Sequence, residues 1–386
     1  MLDWLIIGGG VIGTALSNYM VNAYGVPADK LRVLDPHAEP LARWNHFTAN
    51  TGMQYLRSPQ VHHLATEHLS LQHYMDAHPE LGGFIRPFRR PAYRVFQAHT
   101  AATIERAKLA DLRVQGSAEF IMTTKGGLRV ETSNGVIKAK RVLLAIGRTA
   151  LNLPVWARDL QAAGAPVQHV FSWGFRLNAT PTDGHTVVVG GGITAGQVAL
   201  ALSGWAPGRV TLLMRHPVAE ADFDSSPCWV GPSCRKVFVN ATSLTSKRNL
   251  IAQARNRGTM SQDVVKRLRA AITDGTLHRV QGDVVSVAAA DDGVVLRLAA
   301  GEAVRASRVL LATGFDGARP GGAWLDEVIG WFDLPLAPCG YPVVDGALHW
   351  GQGIYVSGPL AELEVGPPAG NIVGARMAAE RIRRAV

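Results

Sequence analysis

The chain has 386 residues, 47% hydrophobic and 18% charged, with 41 glycines; this excludes disorder and leaves apolar mass for two or three packed domains. A formal charge of +9 invites nucleic acid. The densest basic runs, Arg86 to Arg90 and Arg381 to Arg384, are short, however, and carry no interleaved aromatic platform. Two phosphate-rich cofactors and an acidic small molecule account for a basic surface equally well. No apolar run approaches the roughly 20 residues that span a bilayer, and no basic leader precedes the first strand. The expectation is a cytoplasmic protein with small-molecule partners, no membrane and no nucleic acid.

Residues Trp4-Leu5-Ile6-Ile7 form a continuous apolar run, the signature of a strand buried on both faces. Gly8-Gly9-Gly10-Val11-Ile12-Gly13 follows at once, and Ala15, Leu16, Tyr19 and Met20 begin a helical spacing. In such a turn Gly8 makes the bend, Gly10 gives a pyrophosphate access to the backbone, and Gly13 lets helix and strand touch. The helix N-terminus, with Val11 and Ile12, supplies free amides for the phosphates. Leu31 to Leu34 reads as the next strand and ends in Asp35-Pro36, twenty-two residues after Gly13. A carboxylate there accepts hydrogen bonds from an adenosine ribose. Glycine turn and acid together make a dinucleotide site.

The same device returns in mid-chain. Thr186 to Val189 precede Gly190-Gly191-Gly192-Ile193-Thr194-Ala195, with Ala in the third place, and a helical segment follows. Val210 to Met214 forms the second strand, ending not in an acid but in Arg215. A cation at that point suits a 2′-phosphate, so this site is expected to prefer NADPH over NADH. Val142-Leu143-Leu144-Ala145-Ile146-Gly147 and Val309-Leu310-Leu311-Ala312-Thr313-Gly314 are near copies, one near each boundary of the second unit.

This order resembles the two-dinucleotide-binding flavoproteins, in which such strands carry the chain between domains. Gly353 to Gly358, then Gly366-Pro367-Pro368-Ala369-Gly370-Asn371 opening an Ala/Arg-rich helix, resembles their closing FAD element. That helix aims its amides at the flavin's pyrimidine carbonyl. Where the usual element has Gly-Asp, here Pro359 follows Gly358. The resemblance implies an α/β fold of two nested Rossmann-like domains. A discontinuous FAD domain would comprise residues 1–160 and 305–386, with an NAD(P)H domain, 161–304, inserted between them. Hydride transfer from NADPH to FAD across the cleft is the chemistry such nesting serves.

Three further stretches resemble the N-hydroxylating flavin monooxygenases that act on lysine and ornithine side chains. Trp44, Met53-Gln54 and Leu56-Arg57-Ser58-Pro59, with Ser70 to Tyr74, match the family's segment beside the flavin; Asp224-Ser225-Ser226-Pro227 with Phe238-Val239-Asn240 matches its Asp-x-Ser-Pro-Phe-Val-Asn run; and Leu311 to Phe315 matches its Ala-Thr-Gly-Tyr motif. Ten residues, Cys228 to Val237, interrupt the second motif, and Phe315 replaces Tyr. The resemblance implies an FAD-dependent, NADPH-consuming monooxygenase that forms a peroxyflavin from oxygen and hydroxylates a small nucleophile such as an amine. It places Gln54 at the reactive flavin edge and Asn240 at substrate or NADP⁺ as catalytic residues. Two other outcomes stay open: a flavin-dependent reductase passing electrons to a disulfide, quinone or protein, and a non-catalytic nucleotide-binding protein.

Cys228, Cys234 and Cys339 are too few for a disulfide framework, and unpaired structural cysteines are the default for the first two, with a redox pair as the alternative. His62, His63 and His68 lack the cysteine or carboxylate that would complete a metal site, so none is expected. Trp173 is expected at a domain interface.

Overall fold

The computed structural model describes all 386 residues and builds them around two parallel sheets. In the first, Leu2–Ile7 lies between Leu31–Asp35 and Gly135–Leu144 and is parallel to both, with Ile7 level with Leu34 and Leu144. Arg113–Gln115 extends one side, and Ile354–Val356 with His349–Gly351 the other. An antiparallel flap, Ala118–Thr124 and Gly127–Thr132, folds from Gly135–Leu144. In the second sheet Thr186–Val189 occupies the equivalent place between Val210–Met214 and Arg308–Leu311, flanked by His278–Gln281 and Val167–His169, all parallel. Both are α/β sheets of the dinucleotide-binding kind, in which ligands bind beyond the carboxyl ends where strand order reverses.

Patterning explains why these runs are strands. Val188, Leu212 and Leu310 enter one core of the second sheet, while Val187, Leu213, Val309 and Leu311 enter another on the opposite face. Alternate side chains point to opposite faces, so a strand covered on both sides must be apolar throughout. The near-copy strands are equivalent in space as well. Ala145 N–H donates to Ile7 O at 2.8 Å, and Ala312 N–H donates to Val189 O at 2.8 Å. The sequence boundary at 305 falls before Arg308–Leu311, yet that strand pairs with Thr186–Val189 in the second sheet. Its register continues the parallel sheet, so the chain leaves this unit only after Ala312.

The chain leaves the first sheet and returns to it by two adjacent strands of backbone. Leu151 bridges Phe315, and Asn152 N–H donates to Gly314 O at 3.0 Å. Side chains also tie the units together. The Asn50 amide donates to Phe175 O at 2.9 Å and accepts from Leu177 N–H at 2.9 Å. Arg90, 2% exposed, pairs with Asp263 on the helix Gln262–Thr273. No helix is long and apolar enough to cross a membrane.

Candidate functional site: a cavity between two glycine turns

The first turn is built as the dinucleotide pattern requires. Gly8 has φ +112°, and a Cβ there would lie 2.6 Å from Ala145 O. A Cβ on Gly13 would lie 1.8 Å from Gly8 O, so only glycine lets the helix Val11–Asn18 touch its strand. Gly10, by contrast, faces open space, with nothing within 4 Å of such a Cβ. Asp35 Oδ2 accepts from Gly9 N–H at 2.6 Å, and Oδ1 accepts from His37 N–H at 2.9 Å. Arg113 lies 3.5 Å from the same carboxylate and covers Gly9. Burial lowers the pKa of this guanidinium and Asp35 opposes the shift.

These residues open onto one cavity of about 1,090 Å³, at the upper end of the range for small-molecule sites. Gly8, Gly10, Val11, Ile12, Asp35 and Pro36 line one part of it. Trp44 and Met53 line the wall, and Gly370 and Asn371 stand at the start of the helix Ile372–Ile382. Ile193 and Thr194, from the first turn of the helix Ile193–Trp205, reach the same space. The room at Gly10, the placed acid at Asp35 and the helix N-terminus at Asn371 fit the pyrophosphate, ribose and flavin ring of FAD.

The second turn repeats the first, with Ala195 in place of the third glycine. Gly190 has φ +153°, and a Cβ there would lie 2.5 Å from Ala312 O. Gly192 has only Gly258 Cα nearby, at 3.9 Å. Ala195 is buried against this turn, and Arg215 is exposed just past the strand Val210–Met214. The His216 ring covers Gly191, with Nε2 2.5 Å from where a Cβ would stand. Room at Gly192 and a free cation at the strand end fit a nicotinamide dinucleotide with a 2′-phosphate. Of this group only Ile193 and Thr194 line the cavity.

Several expected residues lie elsewhere. Gln54 is exposed and does not line the cavity, although Met53 and Leu56 on either side do. Its backbone carbonyl accepts from Tyr93 N–H at 2.8 Å, which fixes the segment with that side chain outward. Asn240 is exposed at the C-terminus of the helix Pro232–Val239. That helix begins in the interrupting stretch, runs on through Phe238 and Val239, and carries Asn240 away from the cavity, while Asp224, Ser225, Ser226 and Pro227 still line it. Thr313 and Gly314 hold the crossing strands together, the Thr313 hydroxyl donating to Asn152 O. Gly358 has φ +62° and packs near Ile12, while Pro359 beside it lines the cavity where the acid was missing. Cys228 and Cys234 form a disulfide, which corrects the expectation of unpaired thiols; a six-residue separation closed by the turn at Pro227–Trp229 brings them within 5.3 Å at Cα. Trp173 stacks on His37, with centroids 4.5 Å apart, and so bridges the two units next to Asp35.

Of the arginines on the cavity wall, Arg57 belongs to the segment expected beside the flavin, whereas Arg43, Arg148 and Arg255 were not anticipated. Arg43, Arg57, Arg148 and Arg255 line the cavity against only Asp35 and Asp224. Arg57 donates to Ala221 O at 2.7 Å, Phe223 O at 3.0 Å and the Thr259 hydroxyl at 2.6 Å, clamping a loop of the second unit. Glu362 is fully buried. It accepts from Arg148 at 3.3 Å, from Arg255 at 3.4 Å and from Arg248. The faint signal for this cluster was a pair of acids, Glu362 and Glu364, inside the otherwise apolar run Leu360 to Val365; Arg248 lies on the helix Leu244–Ala254 and Arg255 just past its end. His62 also faces the cavity, and burial pushes its pKa down to about 4, so the ring is neutral at pH 7.

No protein-family model and no curated protein matches the chain. Solved structures do. The ornithine hydroxylase of Pseudomonas aeruginosa superposes with a TM-score of 0.76 at 17% identity, covering 100% of this chain and 98% of that one. The L-lysine 6-monooxygenase of Pseudomonas syringae gives 0.74 at 19% identity, covering 100% and 99%. A cadaverine monooxygenase of Erwinia amylovora, bound to FAD, gives 0.75 at 13% identity, covering 100% and 94%. Thioredoxin reductase of T. acidophilum matches more loosely, at 0.58 and 14% identity, covering 99% and 98%. At these identities the likeness establishes the fold: two nested Rossmann-like units arranged as in flavin-dependent monooxygenases.

Proposed function

We propose that this protein is an FAD- and NADPH-dependent oxidoreductase, a monooxygenase that hydroxylates a small nucleophilic substrate, with an amine as the leading class. The observation that carries this reading is the single cavity bounded by the first turns of both glycine-loop helices, Val11 and Ile12 on one side and Ile193 and Thr194 on the other. FAD belongs to residues 1 to about 150 with the segment after 314, and NADPH to the unit between. Bound FAD would accept hydride from NADPH and activate molecular oxygen. The chain's own residues hold, orient and dry the site. Gly10 and Gly192 leave room for phosphates, Asp35 takes ribose hydroxyls, and Arg215 takes the 2′-phosphate. Phe47, Phe171 and Phe315 pack together on the cavity wall, Phe171 and Phe315 stacked with centroids 5.3 Å apart. Such a wall excludes water from reactive oxygen chemistry. Neutral His62 adds no positive charge that would repel an ammonium substrate.

A substrate screen scored by hydroxylated product tests the reading; NADPH loss alone does not. Coupled product supports it, and NADPH oxidation that yields only hydrogen peroxide with every amine tried contradicts it. A second reading, a reductase that passes electrons to a disulfide, is favoured by the Cys228–Cys234 bridge, whose loop residues Pro227 and Val230 line the cavity. Anaerobic NADPH that releases two thiols per chain would select it.

A further inference from the structure

Residues 170–177 belong to the second unit by chain and grip the first. They follow the strand Val167–His169, and Val170 N–H donates to Leu311 O at 3.0 Å, so the loop is rooted in the second sheet. Its other bonds run to the helix Ala42–Ala49 of the first unit. His46 Nε2–H donates to Ser172 O at 2.9 Å, and Nδ1 accepts from the Arg176 guanidinium at 3.0 Å. Asn50, just past the helix, donates to Phe175 O and accepts from Leu177 N–H, each at 2.9 Å. Arg176 also donates to Trp173 O at 2.8 Å and Phe175 O at 2.9 Å, which holds the loop in shape. Trp173 stands at its crest, 49% exposed and outside the apolar core of either unit. Its ring stacks on His37, 13° from parallel with centroids 4.5 Å apart, and meets the His46 ring at 4.7 Å. His37 lines the cavity beside Asp35 and Pro36, whereas Trp173 does not. The His37 backbone N–H is held by Asp35 Oδ1, but the ring Nε2 has no hydrogen-bond partner, so the stack on Trp173 orients the ring.

Asp35 marks where the adenosine ribose of FAD lies, and Gly10 where its pyrophosphate passes. His37 therefore stands at the adenosine end. We propose that residues 170–177 are a strap of the second unit across that end, with Trp173 the positioning residue that holds the His37 ring against the adenosine, so that FAD leaves only when the strap lifts from the helix Ala42–Ala49. This rests on FAD being held by the first glycine turn and on nothing about the chemistry that follows. The strap makes FAD exchange a property of both units: the cofactor held by one is released at a rate the other sets.

The test follows FAD release from the full-length, FAD-loaded, oxidised protein, read as bound flavin absorbance after gel filtration at timed intervals. Trp173→Ala should release FAD roughly tenfold faster, since it loses the stack and the crest of the strap. Trp173→Phe keeps a ring on His37 and should restore most of the retention. NADP⁺ affinity, measured by calorimetry, and the denaturation midpoint should stay unchanged in both, because Trp173 belongs to neither core. His37→Ala should match Trp173→Ala, and the double variant should add nothing further, since one residue acts through the other. Arg176→Gln, which loosens the grip on His46, should also speed release, and it serves if Trp173→Ala fails to fold. Native release in both Trp173→Ala and Arg176→Gln overturns the proposal, as do additive effects of Trp173→Ala and His37→Ala. Weakened NADP⁺ binding with FAD release unchanged means that the loop serves the other cofactor, and the proposal fails. The two claims fail differently. A protein that takes up no FAD overturns the assignment of the first turn, whereas FAD held equally by every variant overturns only the strap.

Discussion

The two glycine turns share a backbone plan and differ in what surrounds it. In the first, the strand-end acid Asp35 is tied back to Gly9 and His37 and braced by Arg113, and Gly13 has no space for even a methyl. In the second, Ala195 is accommodated and Arg215 stands exposed at the strand end. The first is a closed, pre-organised cradle suited to a cofactor that stays; the second leaves its discriminating residue free for a cofactor that comes and goes. The shared device supplies phosphate recognition, and the residue after the second strand sets which dinucleotide is held.

Breaking the link between the two regions should cost most. Arg90→Ala strands the largely buried Asp263 across the unit boundary, and such a loss costs about 3–5 kcal/mol, read as denaturant stability. Asp263 itself has its pKa lowered from 3.8: burial opposes the shift, but the neighbouring Ser261 and the Arg90 guanidinium outweigh it. Its contribution is therefore present above pH 3.8 and lost as pH falls below that value. Next, Gly13→Ala forces a methyl onto backbone and should cost about 2–3 kcal/mol together with bound FAD. The converse change in the second turn, Ala195→Gly, should cost no more than about 1 kcal/mol, the ordinary helix penalty. Equal effects would erase the contrast between a closed and an open turn.

Each region also carries a neutral histidine shielded from water, His62 half-buried and His169 fully buried. Burial pushes His62 and His169 both down to about 4 from 6.5. The unfolded chain binds these protons first, so stability is unaffected above pH 6.5 and falls as pH drops towards 4, by roughly 1.4 kcal/mol per pH unit for each ring. His62→Gln should remove one share of that slope, measured as unfolding free energy against pH. Last, Arg215→Ser should raise the NADPH KM about tenfold and leave NADH unchanged, since one charge-assisted contact at an exposed site is lost.

Local patterns were legible in the sequence and distant pairings were not. Both turns, both strand-end residues and the paired copies at Val142 to Gly147 and Val309 to Gly314 follow from period and spacing within a few tens of residues. Glu362 meets Arg148, Arg248 and Arg255 across 214, 114 and 107 positions of sequence, and no spacing rule spans such gaps. Gln54 and Asn240 show the limit of motif transfer. A matching letter places a residue in the right segment, but which way it faces depends on local backbone: the carbonyl of Gln54 held by Tyr93, and a helix inserted ahead of Asn240.

The central claim is that electrons cross from a nicotinamide on the second unit to a flavin on the first. Mixing FAD-loaded protein with NADPH in the absence of oxygen tests it most directly. The account predicts that the yellow flavin absorbance bleaches within turnover time, faster with NADPH than with NADH. A protein that holds FAD but keeps its colour under excess NADPH would contradict it.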